Sequence, residues 1–127
     1  MKILSLDFGL KRIGVAFGDS DITIAFPLCI LDNDEHIFDK ISQLIQKKQA
    51  DLILIGLPLT MEGGENNHTQ KTRNFAKNLQ DHIDIELDFF DERLSTAEAR
   101  KKTQEKYDDD IAAANFLQTY LEKLGTN

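Results

Sequence analysis

The sequence predicts an α/β fold in which a mixed five-stranded sheet carries helices on its faces. The first three strand-like segments follow one another through short connections, which favours an antiparallel meander. Two later strands are each reached through a helical segment, which favours parallel pairing. The order βββαβαβαα over 127 residues corresponds to a single domain, residues 1–127, built around one sheet.

The opening segment, residues 4–16, has the pattern of a strand, a tight turn and a second strand. Side chains alternate along a strand, so Asp7 shares a face with Ser5, whereas Leu6 between them points to the other face. Gly9 follows without a side chain, and we expect it to leave room for a phosphate or a metal ion beside Asp7. Positive charge stands near the same turn, on Lys11 and Arg12.

Residues 22–31 form a third strand-like segment, in which Pro27 indicates a sheet edge or a bulge because it donates no ladder hydrogen bond. Asp34 is expected to cap the next helix. Apolar residues recur through that helix at helical spacing and predict one buried face: Ile37, Ile41, Leu44 and Ile45.

Residues 51–58 are apolar enough for a strand buried on both faces. The glycine-bearing loop that follows, residues 59–67, lies where ligand-contacting loops of α/β sheets occur, although its composition also suits a mobile surface loop. A second helix is predicted over residues 69–83 and a fifth strand over 85–91. A capping-box sequence at Ser95 then predicts a polar helix to about residue 106, and an apolar helix ends the chain near Gly125.

The composition limits the class of protein. The net charge of -7 and pI near 4.9 count against broad, non-specific nucleic-acid binding. Cys29 is the only cysteine, which excludes an internal disulfide and suits a reducing compartment. No apolar run approaches the roughly 18 residues of a spanning helix, and the early acid argues against a signal peptide. We therefore expect a cytoplasmic protein.

Acidic residues stand at the ends of three predicted elements: Asp7 after the first strand, Asp91 and Glu92 after the fifth, and residues 108–110 before the last helix. Mg²⁺ takes oxygen ligands, and a pair of such ions can activate water for attack on a phosphodiester. Without a cation, converging carboxylates repel one another. An acid at a helix start is more commonly a cap, and helical periodicity does not separate residues 109 and 110 as ligands.

The sequence lacks the residue patterns of several other kinds of functional site. The three histidines and Cys29 do not have the spacing of a zinc site. No Walker-type or dinucleotide-binding loop is present. His68 lies in the glycine-bearing loop and could touch a substrate, although solvent exposure is its commoner role. Ser95 has no histidine and aspartate pattern that would make it a nucleophile.

Four segments, in this order, resemble the YqgF/RuvX family. They are residues 7–16 (DFGLKRIGVA), 56–59 (GLPL), 91–96 (DERLST) and the alanine-rich start of the helix over 109–121. The resemblance extends over about residues 2–124. Proteins of this family are described as pre-16S rRNA processing nucleases and as Holliday junction resolvases. The resemblance implies an RNase H-like fold, which agrees with the element order reached from the residues.

The resemblance also implies roles for individual residues. Asp7, Glu92 and Asp109 match the family's metal-binding acids, and Asp110 is the alternative to Asp109. The family's last acid precedes a tyrosine by eleven residues, which favours Asp109 because the tyrosine here is Tyr120. The implied cofactor is Mg²⁺ or Mn²⁺. The implied substrate contacts are Lys11, Arg12, Asn67, Arg73 and Arg93.

These residues lead to the expectation of a metal-dependent endonuclease that processes the 5′ end of pre-16S rRNA. It would act as a monomer or weak homodimer, with precursor rRNA and ribosomal particles as partners and no membrane contact. One alternative is a Holliday junction resolvase on branched DNA, which needs a two-fold dimer. Another is a non-catalytic RNA-binding maturation factor. Phosphotransfer, as in sugar kinases and actin-like ATPases, is disfavoured because those proteins enclose ATP between two such domains.

Overall fold

The computed structural model describes residues 1–94 and 109–125, apart from the side chains of residues 109 and 110. The strands are β1 (Lys2–Asp7), β2 (Arg12–Asp19), β3 (Ile24–Asp32), β4 (Leu52–Leu57) and β5 (Glu86–Asp91). The helices are α1 (Ile37–Lys48), α2 (Asn67–Gln80) and α3 (Asp109–Leu124), and a 3-10 turn (Glu92–Leu94) follows β5. The helix predicted after Ser95 lies outside the described residues.

The five strands form one mixed sheet in the order β3-β2-β1-β4-β5. β1, β2 and β3 pair antiparallel, whereas β4 pairs parallel with β1 and β5 pairs parallel with β4. The predicted fold class is therefore confirmed. In register, Leu6 is opposite Ile55 and Leu57 is opposite Asp91, so the carboxyl ends of β1, β4 and β5 meet at one edge of the sheet.

The sheet is covered on both faces, and strand alternation decides which residues face which helices. Helices α1 and α2 cover the face that contains Leu4, Leu6 and Ile55. Helix α3 covers the face that contains Ile3 and Leu54. None of the described helices has both the length and the apolar character needed to cross a bilayer.

Helix α3 is fixed on its face in a defined direction. The buried Ser5 hydroxyl donates to the Ala113 carbonyl at 2.9 Å. Farther back along the sheet, Gly18 lies against Leu117 and Leu121, where an added Cβ would come within 3.0 Å of both side chains. The helix therefore runs opposite to β1, and its first turn lies at the edge where β1 ends.

The Pro27 prediction is confirmed in both of its parts. Strand β3 is an outer strand of the sheet. The pairing register with β2 also shifts at Val15 and Ala16, where Cys29 and Pro27 are the successive partners and Leu28 is left over as a bulge. Both features tolerate a residue without an N–H group.

Two helix starts differ from the prediction. Asp34 was expected to cap α1, but the N-cap position is His36; the Asp34 carboxylate accepts instead from the His36 N–H at 2.9 Å and from the Lys40 ammonium. Helix α2 begins at residue 67 rather than 69 because Asn66 and Thr69 form a reciprocal capping box. Such a box fixes the start of a helix through side-chain hydrogen bonds.

Candidate metal and nucleic-acid site

Asp7 is the last residue of β1 and lies half-buried at the edge where the parallel strands end. Ser5, two residues earlier, faces α3, so alternation places Asp7 on the same α3 face. Its neighbour in β4 is Gly56, since Leu6 pairs with Ile55 and each strand advances by one residue. Adjacent strands lie about 5 Å apart, which brings Gly56 close to the base of the Asp7 side chain.

Glu92 folds back over the same edge. Its Oε2 lies 2.9 Å from the position that a Cβ on Gly56 would occupy, and the Phe116 ring of α3 lies 2.6 Å from that position. The Glu92 carboxylate is therefore on the α3 face, beside the strand that borders Asp7. A side chain at position 56 would fill this space, so the glycine leaves room for the Glu92 carboxylate next to the strand that borders Asp7.

The environment of the Glu92 carboxyl disfavours its ionised form. Burial, and secondarily the negative charge of Asp91, raise the pKa of Glu92 above its usual value. Within the described part of the chain, its carboxylate has no hydrogen-bond or ion-pair partner. A cation at this position would favour the ionised form, because an opposite charge offsets the desolvation of a carboxylate.

The third predicted acid is represented by its backbone alone. Helix α3 begins at Asp109, one turn before Ala113, and Ala113 is held against β1. The start of the helix thus lies at the Asp7 edge. The side chains of Asp109 and Asp110 lie outside the description, so the choice between them stays a prediction.

The ligand atoms of Asp7 and Glu92 are of the type that binds a divalent cation. Asp7 and Glu92 offer carboxylate oxygens at one edge and on one face, which is the ligand type that Mg²⁺ and Mn²⁺ prefer. Among residues 1–94 and 111–125, no three His, Cys, Asp or Glu side chains cluster closely enough to hold a metal ion. The acid predicted at the start of α3 stays the candidate for a third ligand.

Gly9 is required by the backbone of the opening hairpin. Its Cβ would lie 2.5 Å from the Arg12 carbonyl oxygen, within the hairpin itself. Asn33 closes the same turn by donating to the Gly9 carbonyl at 2.9 Å and to the Lys11 carbonyl, also at 2.9 Å, through its backbone N–H. This close backbone approach requires a glycine, and whether the position also leaves room for a ligand beside Asp7 stays a prediction.

Arg93, the residue after Glu92, is paired with a carboxylate. Its guanidinium forks onto Asp91, with the shortest contact at 2.6 Å, and this pairing holds the pKa of Asp91 below its usual value. The guanidinium also contacts the loop after β4, where Gly63 has a φ of +89° and an added Cβ would lie 3.3 Å from Nη1. Arg93 thus joins that loop to β5.

Arg73 is paired in the same manner. Its guanidinium donates to both carboxylate oxygens of Glu65, with contacts of 2.6, 2.9 and 3.0 Å, and lies over the Phe89 ring at 5.3 Å. Arg73 lowers the pKa of the Glu65 carboxyl below its usual value. This partner is not indicated by side-chain spacing, because Glu65 precedes Arg73 by eight residues and lies outside the helix.

The other predicted substrate contacts are exposed. Lys11 lies on the hairpin turn after Asp7 and Arg12 begins β2, and neither side chain has an ion-pair partner in the described ranges. Asn67 is the first residue of α2 and is exposed. His68, beside it, is also exposed and lies 6.1 Å from the Phe8 ring, centroid to centroid. These groups surround the edge from the side of the hairpin and of α2.

Two features of the site were not singled out from the sequence. Gly56 was read only as part of a motif, although a glycine inside the run Ile-Leu-Ile-Gly-Leu is itself a sign of close approach. Phe116 lies in the apolar last helix, and nothing in the helical periodicity indicates that its ring would border Glu92. Such a contact depends on how the helix docks on the sheet.

The fold is similar to solved resolvases. A RuvC of T. thermophilus, in a structure described as a complex with a Holliday junction substrate, superposes with a TM-score of 0.67 at 10% identity over 99% of this chain and 97% of that one. A fowlpox virus resolvase, described with its substrate Holliday junction DNA, gives a TM-score of 0.59 at 18% identity over 98% of this chain and 99% of that one. These likenesses concern the fold, which is the RNase H-like fold that was predicted.

The sequence relatives are closer. A protein of Sulfurihydrogenibium sp. (strain YO3AOP1) named "Putative pre-16S rRNA nuclease" is 42% identical over 132 residues, covering 97% of this chain and 91% of the relative. A protein of the same name from Maridesulfovibrio salexigens is 34% identical, covering 97% and 99%. The family model "RuvX: Holliday junction resolvase" matches residues 1–123. This chain therefore belongs to the RuvX family.

Proposed function

We propose that this protein is a metal-dependent endonuclease that hydrolyses phosphodiester bonds in nucleic acid, with precursor 16S rRNA as the favoured substrate. The observation that carries the proposal is the Glu92 carboxylate, held at the Gly56 gap beside Asp7 without a cationic partner in the described residues. An arrangement that raises the energy of an ionised carboxylate suits a site that binds a cation. The family and the printed names of the relatives support the nuclease class.

Each acid has a defined task in this proposal. Asp7 and Glu92 would hold one or two Mg²⁺ or Mn²⁺ ions, with Asp109, or Asp110 in its place, completing the ligand set. When bound, such ions supply Lewis-acid activation of water and stabilise the charge that develops on the phosphate. The Phe116 ring lies on the α3 side of the Glu92 carboxylate and limits the positions that the carboxylate can take.

The cations around the edge would position the nucleic acid. Lys11, on the hairpin turn, and Arg12, at the start of β2, are available to phosphates next to the scissile one. Arg73 and Arg93 are oriented by carboxylates, and Asn67 offers an amide at the start of α2. The overall charge of -7 means that binding depends on these local groups and on the bound metal rather than on the average field.

The test is cleavage of an RNA carrying the 5′ precursor segment of 16S rRNA, with Mg²⁺ and with chelator. Wild type should cleave only with the metal, and Asp7→Asn should lose cleavage because it removes a ligand. Asp39→Asn is a matched control, since Asp39 is an exposed acid in the first turn of α1. Mg²⁺-dependent cleavage by Asp7→Asn at the wild-type rate would contradict the proposal.

A second candidate is a junction-resolving DNase, which is favoured by the description of the family model. A four-way junction presents two related cleavage sites, so paired cutting requires a two-fold dimer. The same variants are therefore assayed on a DNA four-way junction, with the molecular mass in solution measured at the assay concentration. Symmetric cuts by a dimer would favour the junction, whereas cleavage of the RNA alone by a monomer would favour the rRNA precursor.

A further inference from the structure

A single carboxylate satisfies a cluster of donors on the exposed side of α2. Arg73 donates from Nε and Nη2 to both oxygens of Glu65, and the Gln70 amide donates to Oε1 at 2.6 Å. Glu65 comes from the loop before the helix, so the helix supplies the donors and the loop supplies the anion. A planar guanidinium that forks onto two oxygens suits phosphate as well as carboxylate.

The Arg73 guanidinium has a second orienting contact besides Glu65. The Arg73 guanidinium lies over the Phe89 ring, 5.3 Å from its centroid, and this stacking holds it from the sheet side. Gln70 and Arg73 also lie one turn apart on α2, so the helix keeps them adjacent. The Glu65 carboxylate is about one-third exposed and the Arg73 side chain two-fifths, which leaves the pair open to a competing anion.

Arg73 can also be reached from a groove. It lines a cavity of about 360 Å³ between α2 and β5, together with Lys77 on the same wall and Phe89 and Leu87 on the floor. The Lys77 ammonium has no ion-pair partner among the residues that the structure describes. A polyanion entering this groove meets two cations in succession, with Asp81 at the far end.

We propose that Gln70 and Arg73 form a binding site for a backbone phosphate of the nucleic-acid substrate, and that Glu65 occupies this site in the free protein. This inference rests on the proposed function, because it requires a nucleic-acid substrate. The bound phosphate is not the one that is cleaved. Phe89 and Arg73 lie on the face covered by α1 and α2, whereas Asp7 and Glu92 face α3.

The occupancy by Glu65 lowers the apparent affinity, since only the fraction of molecules with a free site binds the phosphate. An exposed ion pair is weak enough to be displaced by a strand that offers several phosphates at once. Removing the Glu65 charge should therefore tighten binding, and removing the Arg73 fork should weaken it.

The experiment measures binding by fluorescence anisotropy in metal-free buffer, so that no cleavage occurs. The probes are a labelled single-stranded RNA of mixed sequence and a labelled DNA four-way junction. Glu65→Gln is compared with Glu62→Gln, a matched control in the same loop: both remove one exposed acid, but Glu62 has no ion-pair partner in the described part. Glu65→Gln should bind the RNA about two- to five-fold more tightly than Glu62→Gln.

Variants of Arg73 form the second part of the experiment. In the Glu65→Gln background, Arg73→Gln should remove the gain and reduce the dependence of log K on log salt concentration by about 0.7 for single-stranded RNA, as expected for one lost phosphate contact. Arg73→Lys should restore the salt dependence but only part of the affinity, because an ammonium does not fork. Thermal melting establishes that each variant is folded.

Two results would overturn the inference. Equal affinities for Glu65→Gln and Glu62→Gln would mean that Glu65 does not compete with the substrate. An unchanged salt dependence in Arg73→Gln would mean that Arg73 does not contact a phosphate. Either result leaves the nuclease proposal standing. Failure of the wild type to bind either probe, both in metal-free buffer and after Mg²⁺ is added, would contradict the nucleic-acid function and this site together.

Discussion

Gly56→Ala tests whether the gap in β4 places the Glu92 carboxylate. The added Cβ would lie 2.6 Å from Phe116 Cε2 and 2.9 Å from Glu92 Oε2, whereas ordinary van der Waals contact begins at 3.4 Å. The ring must therefore retreat by about 0.8 Å. It has little space for this, because Phe116 is 2% exposed and is stacked on Phe90 with 6.0 Å between ring centroids.

The cost in stability follows from overpacking. Such substitutions typically cost about 1–3 kcal/mol, and replacing glycine returns about 0.4–1 kcal/mol by restricting the unfolded chain. We expect Gly56→Ala to lose about 0.5–2 kcal/mol of unfolding free energy in urea, with an unchanged m value. We also expect it to lose metal-dependent cleavage, because the Glu92 carboxylate is pushed from its position.

Gly18→Ala is the matched control. Its Cβ would lie 2.9 Å from Leu121 Cδ1 and 3.0 Å from Leu117 Cδ2, so it strains the same helix at a point away from Glu92. Both variants should be destabilised, but Gly18→Ala should keep its cleavage activity below its melting transition. The reasoning would be refuted if folded Gly56→Ala cleaved as fast as wild type, or if both variants lost activity in proportion to stability.

Three further predictions concern the surroundings of the site. Glu92→Gln should melt at a higher temperature than wild type at neutral pH in chelator: the pKa of Glu92 is raised in the folded protein, so its contribution to stability is complete below the ordinary carboxyl pKa and is lost as pH rises through the raised one. The advantage should disappear in acid, and an equal advantage at every pH would contradict the burial argument. Ser5→Ala should cost about 1 kcal/mol in urea by breaking the buried bond to α3, whereas Ser42→Ala, with an exposed bond of 3.5 Å, should cost little. Thr69→Val should cost about 1–2 kcal/mol by the same measurement, because Thr69 is buried and joins the start of α2 to the loop after β4; unchanged stability would mean that the capping box does not fix the helix.

Much of the fold could be predicted because it follows from local patterns. The alternation around Asp7 and the apolar run of β4 indicated the central strands, and the short connections indicated the meander. Helix starts were less predictable. Asp34 is a residue type that commonly caps helices, but it pairs with Lys40. Helix α2 begins at residue 67 because Asn66 and Thr69 cap it reciprocally, which the sequence does not display by itself.

The acids of the candidate site could be predicted from the sequence, but the residues that surround them could not. Asp7 and Glu92 follow strands, and parallel strands bring their carboxyl ends to one edge. The contact between Phe116 and the Gly56 gap depends on how a helix docks after a long sequence separation. The pairing of Arg73 with Glu65 depends on the path of a loop, which side-chain spacing does not specify.

Calorimetric titration of Mn²⁺ into the metal-free protein tests most directly whether the acids at this edge form a cation site. Wild type and Asp39→Asn should bind Mn²⁺ with the same affinity, as measured from the heat released or absorbed. Asp7→Asn and Glu92→Gln should each bind at least about 10- to 100-fold more weakly, since losing a ligand costs no less than losing a group that only supports one. Binding by Asp7→Asn with wild-type affinity would contradict the assignment of this edge as the metal site.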